Sequence, residues 1–203
     1  MLRGCLVLAL WLCTAPVLAR QKPTARSSVE RPCWLVPSLH SAAVLLGMRL
    51  GASAAWPETY DVLRHRRNGE TFRESWSSAP TFDVDQPFFQ WDRDPWPINL
   101  VGHAVMGSEI YLRHRQGHHP LWLALTMTLA WTVVWEYFVE AWHKHPSGID
   151  LVWSPTGGML LGEGRFWLHR RILRMRQPTW RHILCYLVDP LGQLERDLLD
   201  LDF

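Results

Sequence analysis

This chain has little net charge. Its 21 Lys and Arg against 19 Asp and Glu leave a formal charge of +2 over 203 residues. With no Lys/Arg block long enough to suggest one, it lacks the electrostatic footprint of a nucleic-acid binder. Cysteine is sparse, four in all, and no Cys pair or His-Glu-x-x-His motif supplies zinc spacing. There is no Gly-x-Ser-x-Gly elbow, no phosphate loop, no internal repeat and no low-complexity tract. These absences remove the familiar hydrolase, nucleotide and repeat architectures. A mean hydropathy of −0.09 argues against a chain that is mostly membrane-spanning.

Tryptophan is abundant, with thirteen copies. It favours membrane–water interfaces as well as protein cores. The length suits one domain with a sizeable core. The first nineteen residues read as a secretory signal peptide: Arg3, an apolar run from Cys5 to Leu12, and a Val17-Leu18-Ala19 cleavage site. Export to the periplasm or cell-envelope membrane is expected. Cleavage leaves Cys33 and Cys185, either paired in an oxidising compartment or present as two buried thiols.

Residues 20–33 form a polar, aperiodic lead and 34–56 an apolar helix. Arg49 interrupts that helix as a clean span and Pro57 ends it. Residues 57–91 read as a charged and extended linker, and 92–203 as the helical core domain. The first core helix is expected from about Ile98 to about Arg115, its basic end answering the helix dipole and Gly117 serving as C-cap. The second runs from near Pro120 to about Trp142. The third opens at Ser154-Pro155, with Ser as N-cap and Pro in the first turn. Pro190 follows a turn at Asp189 and leads into an amphipathic tail. The fold class is therefore all-α: a membrane-associated helical hairpin plus a third helix and flanking amphipathic helices.

Ionisable groups inside these apolar runs mark the candidate site. Asn99, His103 and Gly107 recur at four-residue spacing, as do Thr128, Thr132, Glu136 and Glu140, so each set shares a helix face. The short turn at Gly117 makes the two helices antiparallel neighbours. His103 and Glu136 then lie within about a turn of equal depth. Such a pair is either a general base with its orienting group, part of a metal site, or a mutually satisfied buried pair. The candidate catalytic set is His103, Glu136, Glu140 and Asp150. The candidate ligand-binding set is Asn99, Thr156, Gly157, Gly158 and Glu163. If the third helix starts at Ser154, Thr156-Gly157-Gly158 offers free N–H groups to an anion. Gly158 and Gly162 equally suit close helix packing. Arg165 is the expected partner of Glu163, and Lys144 that of Glu140 as an exposed helical ion pair. His118, His119, His143 and His145 are expected at the surface.

The segments "DPWPINLVGHAVMGSEIYLR", "WEYFVEA" and "PSGIDLVWSPTGGMLLGE" resemble an uncharacterised bacterial envelope family known as a domain of unknown function. Its pattern of Asn-x-x-x-His, Trp-Glu-Tyr-x-x-Glu and Ser-x-x-Asp-Leu running into Pro-x-x-Gly-x-x-x-Gly-Glu falls here on a defined set of positions. These are Asn99, His103, Trp135, Glu136, Tyr137, Glu140, Ser147, Asp150, Leu151, Pro155, Gly158, Gly162 and Glu163. The resemblance implies an exported, envelope-associated protein and attaches no activity. A fainter likeness is to VanZ-like small helical membrane proteins, which also place a Glu on an apolar helix before an Asp-containing loop.

Two functions follow as expectations. One is a non-catalytic envelope module whose buried His–carboxylate cluster fixes helix register while its surface meets membrane lipid or an envelope protein. The other is a membrane-associated hydrolase or lipid-modifying enzyme using His103 and Glu136, with or without a metal. A sealed core favours the first and an open cleft the second.

Overall fold

A computed structural model describes residues 32–55, Pro57 and residues 65–199. The signal-peptide reading at 1–19 and most of the polar lead lie outside these. The described chain is all helical, with seven α-helices and two π-helical turns. In chain order these are α1 (Leu35–Ala55), α2 (His65–Ser77), a π-turn (Ile98–Gly102), α3 (His103–Gln116), α4 (Leu121–Val134), a second π-turn (Trp135–Glu140), α5 (Gly148–Ile172), α6 (Pro178–Val188) and α7 (Pro190–Leu199). Thr81 and Ser147 form an isolated parallel bridge rather than a strand.

The α3–α5 interface is the most extensive in the bundle, and glycine makes it possible. A Cβ on Gly107 would fall 1.9 Å from the Ser154 carbonyl oxygen, and one on Gly158 would fall 2.5 Å from the Gly107 carbonyl carbon. One turn on, a Cβ on Gly162 would strike the Tyr111 ring at 2.7 Å. The two helices therefore touch backbone to backbone, as small residues permit. His103 meets Ser154, Gly107 meets Gly158 and Tyr111 meets Gly162 and Glu163, so α3 and α5 run parallel.

Two sequence expectations change. The third helix begins at Gly148, capped by the Ser147 side chain, which accepts a bond from the Asp150 N–H. Ser154 and Pro155 sit inside it, so the missing N–H of Pro155 costs one backbone bond without starting a helix. The 57–91 linker contains α2. Gly117 is the C-cap of α3 as expected, with an ordinary φ of −73°, and the left-handed residue is His118, with φ 63°. Gly117 instead allows close approach: a Cβ there would lie 2.7 Å from Pro37 Cγ, where the Cys33 N–H bonds to the Gly117 carbonyl at 2.9 Å. Cys33 and Cys185 are both unpaired thiols.

The C-terminal helices close over a second polar interior. Arg113 is buried, not a solvent-facing end of α3. It donates to Gln116 Oε1 at 2.7 Å, and Gln116 Nε2 donates to Asp189 Oδ2, also at 2.7 Å. Arg196 reaches the same oxygen at 2.9 Å. Arg165 pairs with Glu109 at 2.6 Å and donates to Ser108 Oγ at 2.8 Å. From α1, His40 contacts Glu109 at 3.3 Å and also bonds to Glu195.

Candidate functional site

The site forms where α3, the second π-turn and the start of α5 converge. In the first π-turn the His103 N–H reaches back to the Ile98 carbonyl, and the wide turn keeps Asn99 on the face that carries His103. Glu136 and Glu140 occupy the second π-turn. Such local widenings of a helix recur at functional positions. His103, Glu136 and Asp150 each offer one donor atom within 4.8 Å of the others. All three are buried, at 4%, 0% and 0% exposure.

Each is held by a partner on its far side. His103 Nδ1 lies 2.9 Å from Ser154 Oγ, and His103 Nε2 lies 3.4 Å from Asp150 Oδ2. Glu136 Oε2 accepts the Ser147 backbone N–H at 2.8 Å. That N–H sits at the helix cap, and the neighbouring Gly148 N–H bonds to the Thr81 carbonyl at 2.9 Å. The remaining oxygens, Glu136 Oε1 and both carboxylate oxygens of Asp150, are buried without a hydrogen-bond partner.

A ring of charge surrounds this core. Lys144 Nζ contacts Asp94 at 2.5 Å, and Asp92 and Glu140 at 3.5 Å each. Asp92 also accepts from Asn99 Nδ2 at 2.5 Å. Burial alone would lower the Lys144 ammonium, but the carboxylates of Glu140, Asp94, Glu136 and Asp92 hold it well above the usual lysine value. Burial pushes the Asp150 carboxyl up to about 8, Asp92 adding to the rise and Lys144 opposing it. Burial pushes the His103 imidazole down to about 3, with Lys144 adding to the fall.

The expected residues divide into groups. His103, Glu136 and Asp150 come together. Asn99 and Glu140 flank them through Asp92 and Lys144, and Glu140 Oε2 also accepts from Trp135 Nε1 at 3.1 Å. The Glu140–Lys144 pair is largely enclosed, not exposed, because the two Asp side chains of the 92–94 loop fold over it. The other ligand candidates take different roles. Thr156 is exposed and bonds to its own helix at the Val152 carbonyl. Gly157 lies under the Trp153 ring, and Gly158 is the packing contact with Gly107. Since α5 is already helical there, its amides offer nothing to an anion. Glu163 pairs with Arg115 at 2.9 Å and Tyr111 at 2.8 Å rather than with Arg165. His119 is buried against His114, not at the surface; their Nδ1 atoms are 2.9 Å apart.

Asp92 and Ser154 are the participants that helix periodicity does not pick out, whereas Lys144 is the expected i,i+4 partner of Glu140. Asp92 lies in a loop and Ser154 was assigned to a helix end, although Ser154 falls four residues before Gly158 on the same face.

No curated protein and no solved structure matches the chain. Residues 88–191 match the model of a family described as a domain of unknown function (DUF3943). That stretch is half of the chain and contains every residue of the His103–Glu136–Asp150 cluster and its surrounding charges, and the chain accordingly belongs to this family of unknown function.

Proposed function

We propose that the protein is a non-catalytic, membrane-embedded module of the cell envelope, with an apolar outside that contacts lipid and a polar inside that fixes the register of its helices. The observation that carries this is the inverted distribution of side chains. Among the described residues, 32 large hydrophobic side chains are exposed, while the buried set holds 23 polar or charged side chains and 11 hydrophobic ones. A water-soluble domain buries its aliphatic residues and leaves only scattered ones outside. A lipid-facing protein turns apolar side chains outward and directs its ionisable groups into the bundle. Two helices, Leu35–Ala55 and Leu121–Glu140, are long and apolar enough to cross a membrane.

The non-catalytic part rests on enclosure. A hydrolase needs its general base to meet a substrate, whereas His103, Glu136 and Asp150 are sealed by α3, α5 and the loop carrying Asp92. An envelope location rests on the leader reading of residues 1–19. The test is extraction of the full chain from membranes with alkaline carbonate and high salt. Retention in the pellet, with release by detergent only, is expected; release by salt alone contradicts the reading.

A further inference from the structure

The cluster has its outer supports and lacks a centre. Ser154 takes the Nδ1 side of His103, the arrangement in which a metal-ligating histidine is oriented by its other ring nitrogen. Nε2 is thereby turned toward Asp150. The Ser147 N–H fixes one oxygen of Glu136, leaving Oε1 pointing inward. Three carboxylate oxygens from two helical segments, none with a hydrogen-bond partner, thus gather beside one imidazole nitrogen. Buried acceptors without partners cost about 1–3 kcal/mol each, so three in one place call for an occupant. Charge points the same way: Asp92, Asp94, Glu136 and Glu140 gather around the ammonium of Lys144.

We propose that His103 Nε2, Glu136 Oε1 and the Asp150 carboxylate bind a divalent first-row transition ion of the zinc class, which ties α3, the second π-turn and α5 together. One nitrogen and two carboxylates form a borderline-hard set that suits Zn²⁺ or Mn²⁺ better than Mg²⁺ or Ca²⁺, which prefer oxygen alone. Because the ligands are sealed, the ion is structural and its binding is coupled to folding. The inference does not depend on the membrane reading, since metal content is measured wherever the protein resides.

The full chain, expressed with zinc and manganese supplied and purified in detergent without chelator, is analysed by inductively coupled plasma mass spectrometry. About one equivalent of zinc or manganese per chain is expected. Glu136→Gln and Asp150→Asn should each retain less than about a tenth of it, while Glu74→Gln, on the exposed face of α2, keeps the full content. Should either isosteric variant fail to fold, wild-type protein decides the matter alone. Unfolding in a chelator and refolding should lower its melting temperature by several degrees, and Zn²⁺ present during refolding should restore it where Mg²⁺ does not. A wild-type protein without transition metal, a melting temperature indifferent to Zn²⁺ and Mn²⁺, or unchanged metal in both variants overturns the proposal.

Discussion

Gly107 and Gly158 meet backbone to backbone: a Cβ on Gly158 would lie 2.7 Å from the Gly107 Cα, closer than any real Cβ contact. This contact, with Gly107 against Ser154 and Gly162 against Tyr111, sets the spacing of α3 and α5, and therefore the distance at which His103 faces Ser154 and Asp150.

Alanine at either glycine should accordingly be severe. The obstacle is backbone, which cannot rotate away, so the loss is expected at or above the upper end of the roughly 1–3 kcal/mol typical of overpacking. Gly164, on the same helix, has nothing within 4 Å of its Cβ position. Gly164→Ala should be neutral or stabilising by up to about 1 kcal/mol, because it only removes backbone freedom from a helix interior. Thermal melts of the three variants check the contrast.

Glu136→Ala and His103→Ala should both lower stability and protein level. The first strands the buried Ser147 N–H and the second strands the buried Ser154 hydroxyl, at about 1–3 kcal/mol per unpaired group. Thr156→Ala should lie within about 0.5 kcal/mol of wild type, since Thr156 is exposed and bonds only within α5. In complementation, phenotype should follow protein level. Stable, abundant and inactive His103 and Glu136 variants would show that the cluster does chemistry instead.

The buried His114–His119 pair predicts an acid-sensitive fold. Burial pushes His114 down to about 4 from an ordinary 6.5, with His119 and His40 adding to the fall. The folded state therefore prefers the neutral ring, and a proton on both partners would leave two Nδ1 donors facing each other across 2.9 Å. With the folded value depressed, this contribution is complete above pH 6.5 and is lost as the pH falls toward 4. Melting temperature should drop through that window, and His114→Asn should flatten the drop relative to wild type.

Helix periodicity made the α3–α4 hairpin legible. Asn99, His103 and Gly107 on one side and Thr128, Thr132, Glu136 and Glu140 on the other fall on buried faces because i, i+4 spacing holds through α-helix and π-turn alike. The start of α5 was not legible, because Ser147 and Ser154 are both good caps and a proline follows only the second. Asp92 escaped because a loop residue carries no period to show which face it joins. His119 departs from its expected surface position for a different reason. His119 follows the basic end of α3, and the packing of the Trp34 and His114 rings against it encloses it.

The leader reading has its own check. N-terminal sequencing of exported protein should begin near Arg20, whereas an intact Met1 would turn that segment into an anchor.

The central claim, that the apolar exterior faces lipid, is tested most directly by a nitroxide placed at Leu129, an exposed position on α4. In vesicles carrying the full chain, the account predicts strong relaxation by dissolved oxygen and shielding from a water-soluble nickel complex. Free access of the nickel complex, with little oxygen effect, would put α4 in water and contradict it.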